Sequence, residues 1–366
     1  MLFHLQTSNK LIGIAGLAAR SERLAAKSKV EYFELPARSI LNRCGNPKMP
    51  FTWTINPYRG CEFGCKYCYA RYTHEFMGID DGRLFEEKIY AKADAARVLR
   101  EDLRKHRKGA IAIGTATDPY QPAERRYGVT KALLEVFAQE EGRDLSITTK
   151  SDLVVRDIDL LLEVSRSNVL HVNMTVTTLD RELARKLEPR APRPDLRLEA
   201  VRKLAAAGVS VGVFANPVMP LITDSEENLS AVARAAKEAG AGFFGGGALF
   251  LMPCARKQFF PFLEENFPEL VARYRSRYEG SPYLGGAYVE YLRERIEKIR
   301  KVHGLASSPL RYEPELAGRQ QMSLFGEASE KGKLSKVPAL TAGSLNAPSV
   351  PSRAKPGNSG SRRQSA

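Results

Sequence analysis

"NPYRGCEFGCKYCYAR", residues 56–71, places Cys61, Cys65 and Cys68 within eight positions, while the rest of the 366 residues hold only Cys44 and Cys254. The thiols are separated by three residues and then by two, in a stretch that also carries Gly60 and Gly64. A glycine tolerates positive φ, so a short backbone with two of them can wrap around a compact centre. Five cysteines, an odd number with three clustered, argue against a secreted disulfide framework and for a reducing, cytoplasmic setting in which the thiols are metal ligands. The apolar run Leu11 to Ala19 is too short to cross a bilayer, and it follows a start carrying only Lys10. Neither a membrane span nor a signal peptide is expected.

On either side of the cysteines the chain alternates between two patterns. Apolar β-type runs lie at 51–55, 110–116, 145–150, 169–176, 209–215 and 242–252, and helical periodicity fills stretches such as 94–106, 130–141, 196–208 and 225–240. Largely apolar strands separated by helices specify an α/β fold with a parallel sheet covered on both faces. Six such units give a partial βα barrel, an incomplete version of the closed barrel whose reactive face lies at the C-terminal ends of its strands. The cysteine stretch follows the first strand and is therefore expected on that face.

A four-iron cluster normally takes four cysteine ligands. Three leave one iron open as a Lewis-acidic docking point, by the logic that separates open catalytic metal sites from closed structural ones. Two other readings of the same residues stand beside it: zinc with His74 as fourth ligand, and a closed cluster completed by Cys44 or Cys254.

The spacing Cys61-x3-Cys65-x2-Cys68, with Tyr67 before the last cysteine, resembles the signature of the radical S-adenosylmethionine (SAM) superfamily. The flanking "NPYRGC" and "YCYAR" and the later "TKSD" and "TLD" are similar to the branch of spore photoproduct lyase, over about residues 35–312. The resemblance implies a [4Fe-4S] cluster on Cys61, Cys65 and Cys68 whose open iron chelates SAM. It also implies an electron donor such as flavodoxin or ferredoxin, and reductive cleavage of SAM to a 5′-deoxyadenosyl radical that abstracts hydrogen from substrate. Carried over by position, Lys150 would meet the SAM carboxylate, with Ser151 beside it, Thr175 facing the cofactor, Tyr67 against the adenine, and Asp118 near SAM's amino group or the substrate.

One departure narrows the reaction. Where the lyase has a cysteine that returns hydrogen to the substrate radical, the best-aligned residue here is Thr115, and a hydroxyl O–H is too strong a bond for that role. Cys254 is the candidate replacement, with a small buried hydrophobe as the alternative. The expected activity is repair or modification of nucleic acid; modification of a peptide or small molecule, or a non-enzymatic iron–sulfur protein, are the alternatives.

The net charge of +14 sits mostly in the flanks: residues 1–50 carry +5, residues 317–366 carry +6, and only +3 is left between them. Basic flanks can hold a polyanion in a salt-dependent way. The expected organisation is a poorly ordered extension over 1–34, the barrel over 35–255, a helical region over 256–316 packed on it, and a disordered basic tail over 317–366, poor in apolar residues. The aromatic residues of 256–304 are expected to form the core face of helices. Within the tail, Gln321, Leu324 and Phe325 resemble the peptide by which bacterial repair proteins dock on the DNA sliding clamp.

Overall fold

Each of the six apolar runs carries a strand. The computed structural model describes residues 12–309, apart from Ser28, Lys48 and Arg107, together with Pro314. The expected tail and its Gln321, Leu324 and Phe325 lie outside the described residues. In chain order the strands are β1 (Arg23–Lys27), β2 (Val30–Glu34), β3 (Asn42–Arg43), β4 (Trp53–Ile55), β5 (Tyr58–Arg59), β6 (Lys88–Ala91), β7 (Ile111–Ile113), β8 (Asp144–Thr149), β9 (Val169–Thr175), β10 (Val211–Phe214) and β11 (Phe243–Gly245). The larger sheet has the order β11-β10-β9-β8-β7-β4-β3, parallel throughout except for the antiparallel edge strand β3. Helices Ala95–Lys105, Val129–Phe137, Ile158–Ser167, Pro194–Ala206 and Glu226–Glu238 occupy the crossovers, which makes this the partial six-unit βα barrel.

Which face the helices cover follows from strand alternation. Leu145 and Ile147 of β8 and Val172 and Met174 of β9 pack with Leu133, Leu161 and Val201 of the helices in one core. The intervening residues, Ser146 and Thr148 on β8 and His171, Asn173 and Thr175 on β9, share the opposite, concave face. That face is polar on β8 and β9, while the next strands add Phe214 and Phe243 to it, the latter edge-on against His171. The caps are local: the Ser225 hydroxyl accepts from Asn228 N (3.1 Å), and the Asp180 carboxylate accepts from Glu182 N (2.9 Å) and Leu183 N (3.1 Å).

The structure corrects the reading of residues 1–34 as a poorly ordered extension. Its described part holds the helix Gly13–Ala19 and strands β1 and β2, which join β6 and β5 in a second sheet of order β1-β2-β6-β5. Strands this short, one of them bulged between Arg23 and Ala25, leave little periodicity to read. β5 pairs antiparallel with β6 immediately before Gly60, so the small sheet fixes the entry to the cysteine loop. The run 242–252 is also shorter than expected: β11 ends at Gly245, where three consecutive glycines leave no side chains to pack. Beyond it, helices Pro253–Asn266 and Val271–Tyr278 bury Phe259, Phe262, Tyr274 and Tyr278 in a second core shared with Phe63, Tyr67 and Phe85, so these aromatics do form a core face, while helix Gly286–His303 adds Leu292, Ile296 and Ile299 to the main core. Among the described residues no helix is long and apolar enough to cross a membrane.

Buried Asp102 ties the segment before β3 to its helix: one carboxylate oxygen accepts from Ser39 Oγ (2.9 Å), Ile40 N (2.7 Å) and Leu41 N (3.1 Å). Asp102→Ala strands two buried N–H groups and should cost about 3 kcal/mol. Urea unfolding should show this as a lower midpoint at unchanged slope.

Candidate active site

The cysteine loop needs glycine at two positions. Gly60 has φ +81°, and a Cβ there would lie 2.6 Å from the Lys88 carbonyl oxygen and 2.8 Å from that of Phe85, while Gly64 at φ +66° would drive a Cβ into the Glu86 carboxylate. The backbone is pinned from several sides. Cys61 N donates to Phe85 O (2.9 Å) and Lys66 N to Leu187 O (2.9 Å). The Gln121 side chain donates to Gly60 O (3.0 Å) and accepts from Glu62 N (3.0 Å), and Thr117 Oγ1 donates to Gly60 O (2.7 Å). Arg71, itself buried, donates to Cys65 O (3.1 Å) and pairs with Glu86. Cys61 and Cys65 are buried and Cys68 is half-buried. Burial pushes the Cys61 thiol well up, with nearby Asp118 adding to it; burial raises Cys65 to about 12 although Lys150 pulls the other way. Bare Cys61 and Cys65 are therefore protonated thiols, and a bound metal centre would hold its cysteine ligands as thiolates. Gly60→Ala faces rigid backbone on two sides, so the reconstituted variant should bind little iron per chain compared with the parent protein.

Beneath the loop lies a set of buried charges. The Tyr67 hydroxyl donates to Glu188, which pairs with Arg197, and both members of that ion pair are almost wholly buried. Arg197 also donates to Thr175 O (3.0 Å) and Pro192 O (2.7 Å), so one guanidinium joins the end of β9 to the turn before the helix Pro194–Ala206. Lys150 Nζ stands 5.7 Å from the Tyr67 ring centroid. Burial alone would lower its pKa, but Cys65 and Glu188 outweigh burial and hold it above its ordinary value. Burial likewise disfavours the Glu188 carboxylate, yet Arg197 and Lys150 keep it ionised, its pKa below the usual range. Neither Glu188 nor Arg197 stands out in sequence, since single charged residues at helix ends are common. Removing one partner of a buried pair leaves an uncompensated charge. Glu188→Leu should therefore cost about 3–5 kcal/mol by chemical denaturation, and the double variant Glu188→Leu with Arg197→Met should recover most of that loss.

The residues expected around a cofactor fall into two groups. Lys150 and Thr175 stand at the C-terminal ends of neighbouring strands β8 and β9, as expected, whereas Asp118 and Ser151 are already engaged. Asp118 accepts from Thr149 Oγ1 (2.7 Å), Tyr120 N (2.9 Å) and Lys150 N (2.7 Å), which makes it a clasp between the β7 and β8 ends. Ser151 caps the turn Asp152–Asp157 by accepting from Leu153 N (3.3 Å). Tyr67 is directed into the protein toward Glu188. Asn173, missed in the sequence, shares the inner face with Thr148, to which it donates (3.3 Å), and its buried Oδ1 has no hydrogen-bond partner. Thr177 Oγ1 is likewise buried and unpaired.

Thr115 exchanges hydrogen bonds with the Asn56 side chain (3.2 Å), and its carbonyl accepts from the Tyr69 hydroxyl. Cys254 is buried with Sγ 3.5 Å from Tyr69 O, which brings it to the loop's exit. His74 places Nε2 3.0 Å from Lys88 O and packs edge-on against Phe85 and Tyr90. Cys44 lies beside the edge strand β3, with its Sγ 3.8 Å from Asn46 O. Among the described residues no three His, Cys, Asp or Glu side chains gather as on a single ion.

Three sulfur donors on one glycine-turned loop, with unpaired polar atoms and a lysine at the adjoining strand ends, suit an iron–sulfur cluster with a polar ligand beside it. The profile described as the radical SAM superfamily matches residues 55–232. The chain belongs to the radical SAM superfamily. Family membership makes it an enzyme and implies SAM and an iron–sulfur cluster. An uncharacterized protein of Mycobacterium tuberculosis is 36% identical over 299 residues, covering 81% of this chain and 88% of the relative. An uncharacterized protein of Methanocaldococcus jannaschii is 28% identical over 279 residues, covering 75% and 95%. Among solved structures, a spore photoproduct lyase mutant with bound AdoMet and dinucleoside spore photoproduct aligns with TM-score 0.59 at 14% identity over 79% of this radical SAM chain and 86% of the lyase. Spore photoproduct lyase complexed with dinucleoside spore photoproduct aligns at TM-score 0.57 and 15% identity over 74% and 79%. The two proteins share a fold.

Proposed function

We propose that this radical SAM enzyme acts on nucleic acid, with a [4Fe-4S] cluster held by Cys61, Cys65 and Cys68 and SAM bound between that cluster and the ends of β8 and β9. The observation that carries the reading is the three-thiol loop, turned by two left-handed glycines, with Lys150 against its Tyr67 and a buried, unpaired Asn173 Oδ1 on the inner face of β9. When bound and reduced, the cluster supplies the electron that cleaves SAM to a 5′-deoxyadenosyl radical.

The chain's own residues bind and orient. Lys150 offers a fixed cation for the SAM carboxylate, with its backbone clasped by Asp118 and its charge sustained by Cys65 and Glu188. Asn173 Oδ1 offers an acceptor on the same face, and the Glu188–Arg197 pair stiffens the loop from below. The nucleic-acid substrate is supported by the shared fold with a lyase whose structure holds a dinucleoside spore photoproduct, and by the basic flanks. Thr115 supplies no thiol, so hydrogen return as in that lyase is not part of the proposal. The setting proposed is cytoplasmic, with a flavodoxin or ferredoxin as electron donor and the sliding clamp as a docking partner through Gln321, Leu324 and Phe325.

Anaerobic reconstitution should load about four irons per chain, on the ligation pattern of such clusters. Cys61→Ala, Cys65→Ala and Cys68→Ala should each abolish loading, and Cys44→Ala should leave it intact. Reduction with SAM should release 5′-deoxyadenosine, measured by chromatography with and without DNA. Lys150→Ala should keep the iron but weaken SAM binding by about 1.5–3 kcal/mol, the range for a hydrogen bond to a charged group. Iron loading that depended on Cys44 or Cys254 would sink the open-iron assignment.

A further inference from the structure

Directly after Cys68 a row of aromatic rings runs out to the surface. Phe76 meets Tyr72 edge-on with centroids 5.5 Å apart, Tyr72 stacks near Tyr69 at 6.5 Å and 20°, Tyr69 meets Phe250 at 4.7 Å, and Phe250 stacks on Tyr283 at 5.7 Å and 20°. The three inner rings are half-buried, while Phe76 and Tyr283 at the two ends are 63% and 61% exposed. A core face would hide its ends; Phe259, Phe262, Tyr274 and Tyr278 do. The row is built from three separate segments, 69–76, 250 and 283. The last two are tied together by Leu251 N to Pro282 O (2.8 Å) and by Arg256, which donates to Leu251 O (3.1 Å) and Ser281 O (2.9 Å).

Among the described residues, cations border this row without carboxylate partners. Arg59 lies beside Tyr72, its Nη1 3.4 Å from Thr73 O and its Nε buried without a partner. Lys92, only 6% exposed, adjoins Arg59 on the same face of the small sheet, and its side chain has no hydrogen-bond or ion-pair partner among the described residues. Burial and the neighbouring guanidinium push its pKa down to about 7. Arg256, at the other end, also has no carboxylate. Of the acids close by in the chain, Glu75 and Asp94 are both exposed, and Asp94 pairs with Arg97 instead. A half-buried guanidinium beside a buried amine that is held at the edge of neutrality is an arrangement that an incoming anion relieves, by pairing with Arg59 and restoring the charge of Lys92.

We infer that the row Phe76–Tyr72–Tyr69–Phe250–Tyr283 is a stacking track for the unpaired bases of a single nucleic-acid strand, with Arg59 and Lys92 receiving its phosphate groups and Tyr69 delivering a base to the cluster loop. The inference rests on the nucleic-acid reading above and deepens it: the substrate is a strand with its bases unstacked, not an intact duplex. Every base presents a π-face, so such a track is sequence-tolerant, and the phosphates add a salt-dependent component.

The test uses the full-length, cluster-loaded protein and fluorescence anisotropy of a labelled thymidine 12-mer, an abasic strand of the same length and charge, and a duplex, compared at ~150 mM salt to suppress the basic flanks and then followed over a salt series. The thymidine strand should bind at least about tenfold tighter than the abasic one, as stacking of more than one base predicts. Phe76→Ser combined with Tyr283→Ser, which alters only exposed rings, should remove most of that preference, and Phe250→Ala should do the same; iron content equal to the parent's confirms the fold. Arg59→Gln with Lys92→Gln should instead weaken both strands and lower the slope of log affinity against log salt by about 1–2, one for each phosphate no longer gripped. Equal binding of thymidine and abasic strands by the parent, or an undiminished preference in the ring variants, would overturn the track while leaving nucleic-acid binding in place. Binding of no strand at any salt would remove the nucleic-acid reading itself.

Discussion

The ion pair between Glu188 and Arg197 is the constraint on which the site depends. Burying two charges gains little stability by itself, because desolvation offsets most of their attraction. Its consequence is positional. Arg197 reaches the carbonyls of Thr175 and Pro192, and Glu188 holds the Tyr67 hydroxyl, so the end of β9, the following turn and the cysteine loop are fixed to one another. Lys150 adds a second cation close enough to hold Glu188 ionised, and Glu188 in turn holds Lys150 charged. The loop that presents three thiols is therefore set on a compact, nearly balanced group of charges rather than on apolar packing alone.

A second constraint is the incompleteness of the barrel. In a closed barrel inward-facing residues fill the interior in layers of bulky apolar side chains. Here β8 and β9 turn Ser146, Thr148, His171, Asn173 and Thr175 inward and keep their apolar residues for the helices outside. The inner face is thus polar along β8 and β9, bordered on β10 and β11 by Phe214 and Phe243. The C-terminal helices close one flank by packing Phe259, Phe262, Tyr274 and Tyr278 with Phe63 and Tyr67, which links the floor of the loop to the second core. The aromatic row leaves from the same loop, with Tyr69 against this core and its ends, Phe76 and Tyr283, in solvent.

Much of this is legible in the sequence, and the misses have physical causes. Six apolar runs with helices between them specify the barrel, and glycines beside closely spaced cysteines specify a tightly turned loop, because both signals are local and periodic. Lys150 and Thr175 fall at strand ends for the same reason. The small sheet is not legible: its four strands are two to five residues long, and β2 and β6 pair across a long separation in the chain. Asp118 and Ser151 look like ligand residues in sequence, and the structure adds that Asp118 clasps the ends of β7 and β8 and Ser151 caps a turn, roles that a carboxylate beside Pro119 or a hydroxyl at a turn start does not announce by itself. Glu188, Arg197 and Lys92 carry no signal until folding buries them, Glu188 against Arg197 and Lys92 beside Arg59.

The central claim is that three thiols leave one iron free for SAM while Lys150 receives its carboxylate. It is tested most directly by electron paramagnetic resonance of the anaerobically reconstituted, reduced protein with and without SAM, using a cleavage-resistant SAM analogue to hold the complex. The predicted result is a reduced-cluster signal whose shape and g-values change when the analogue binds, with Lys150→Ala needing a higher analogue concentration for the same change. A reduced-cluster signal indifferent to saturating analogue would contradict it, because a cluster with every iron already ligated has no position for the cofactor to occupy.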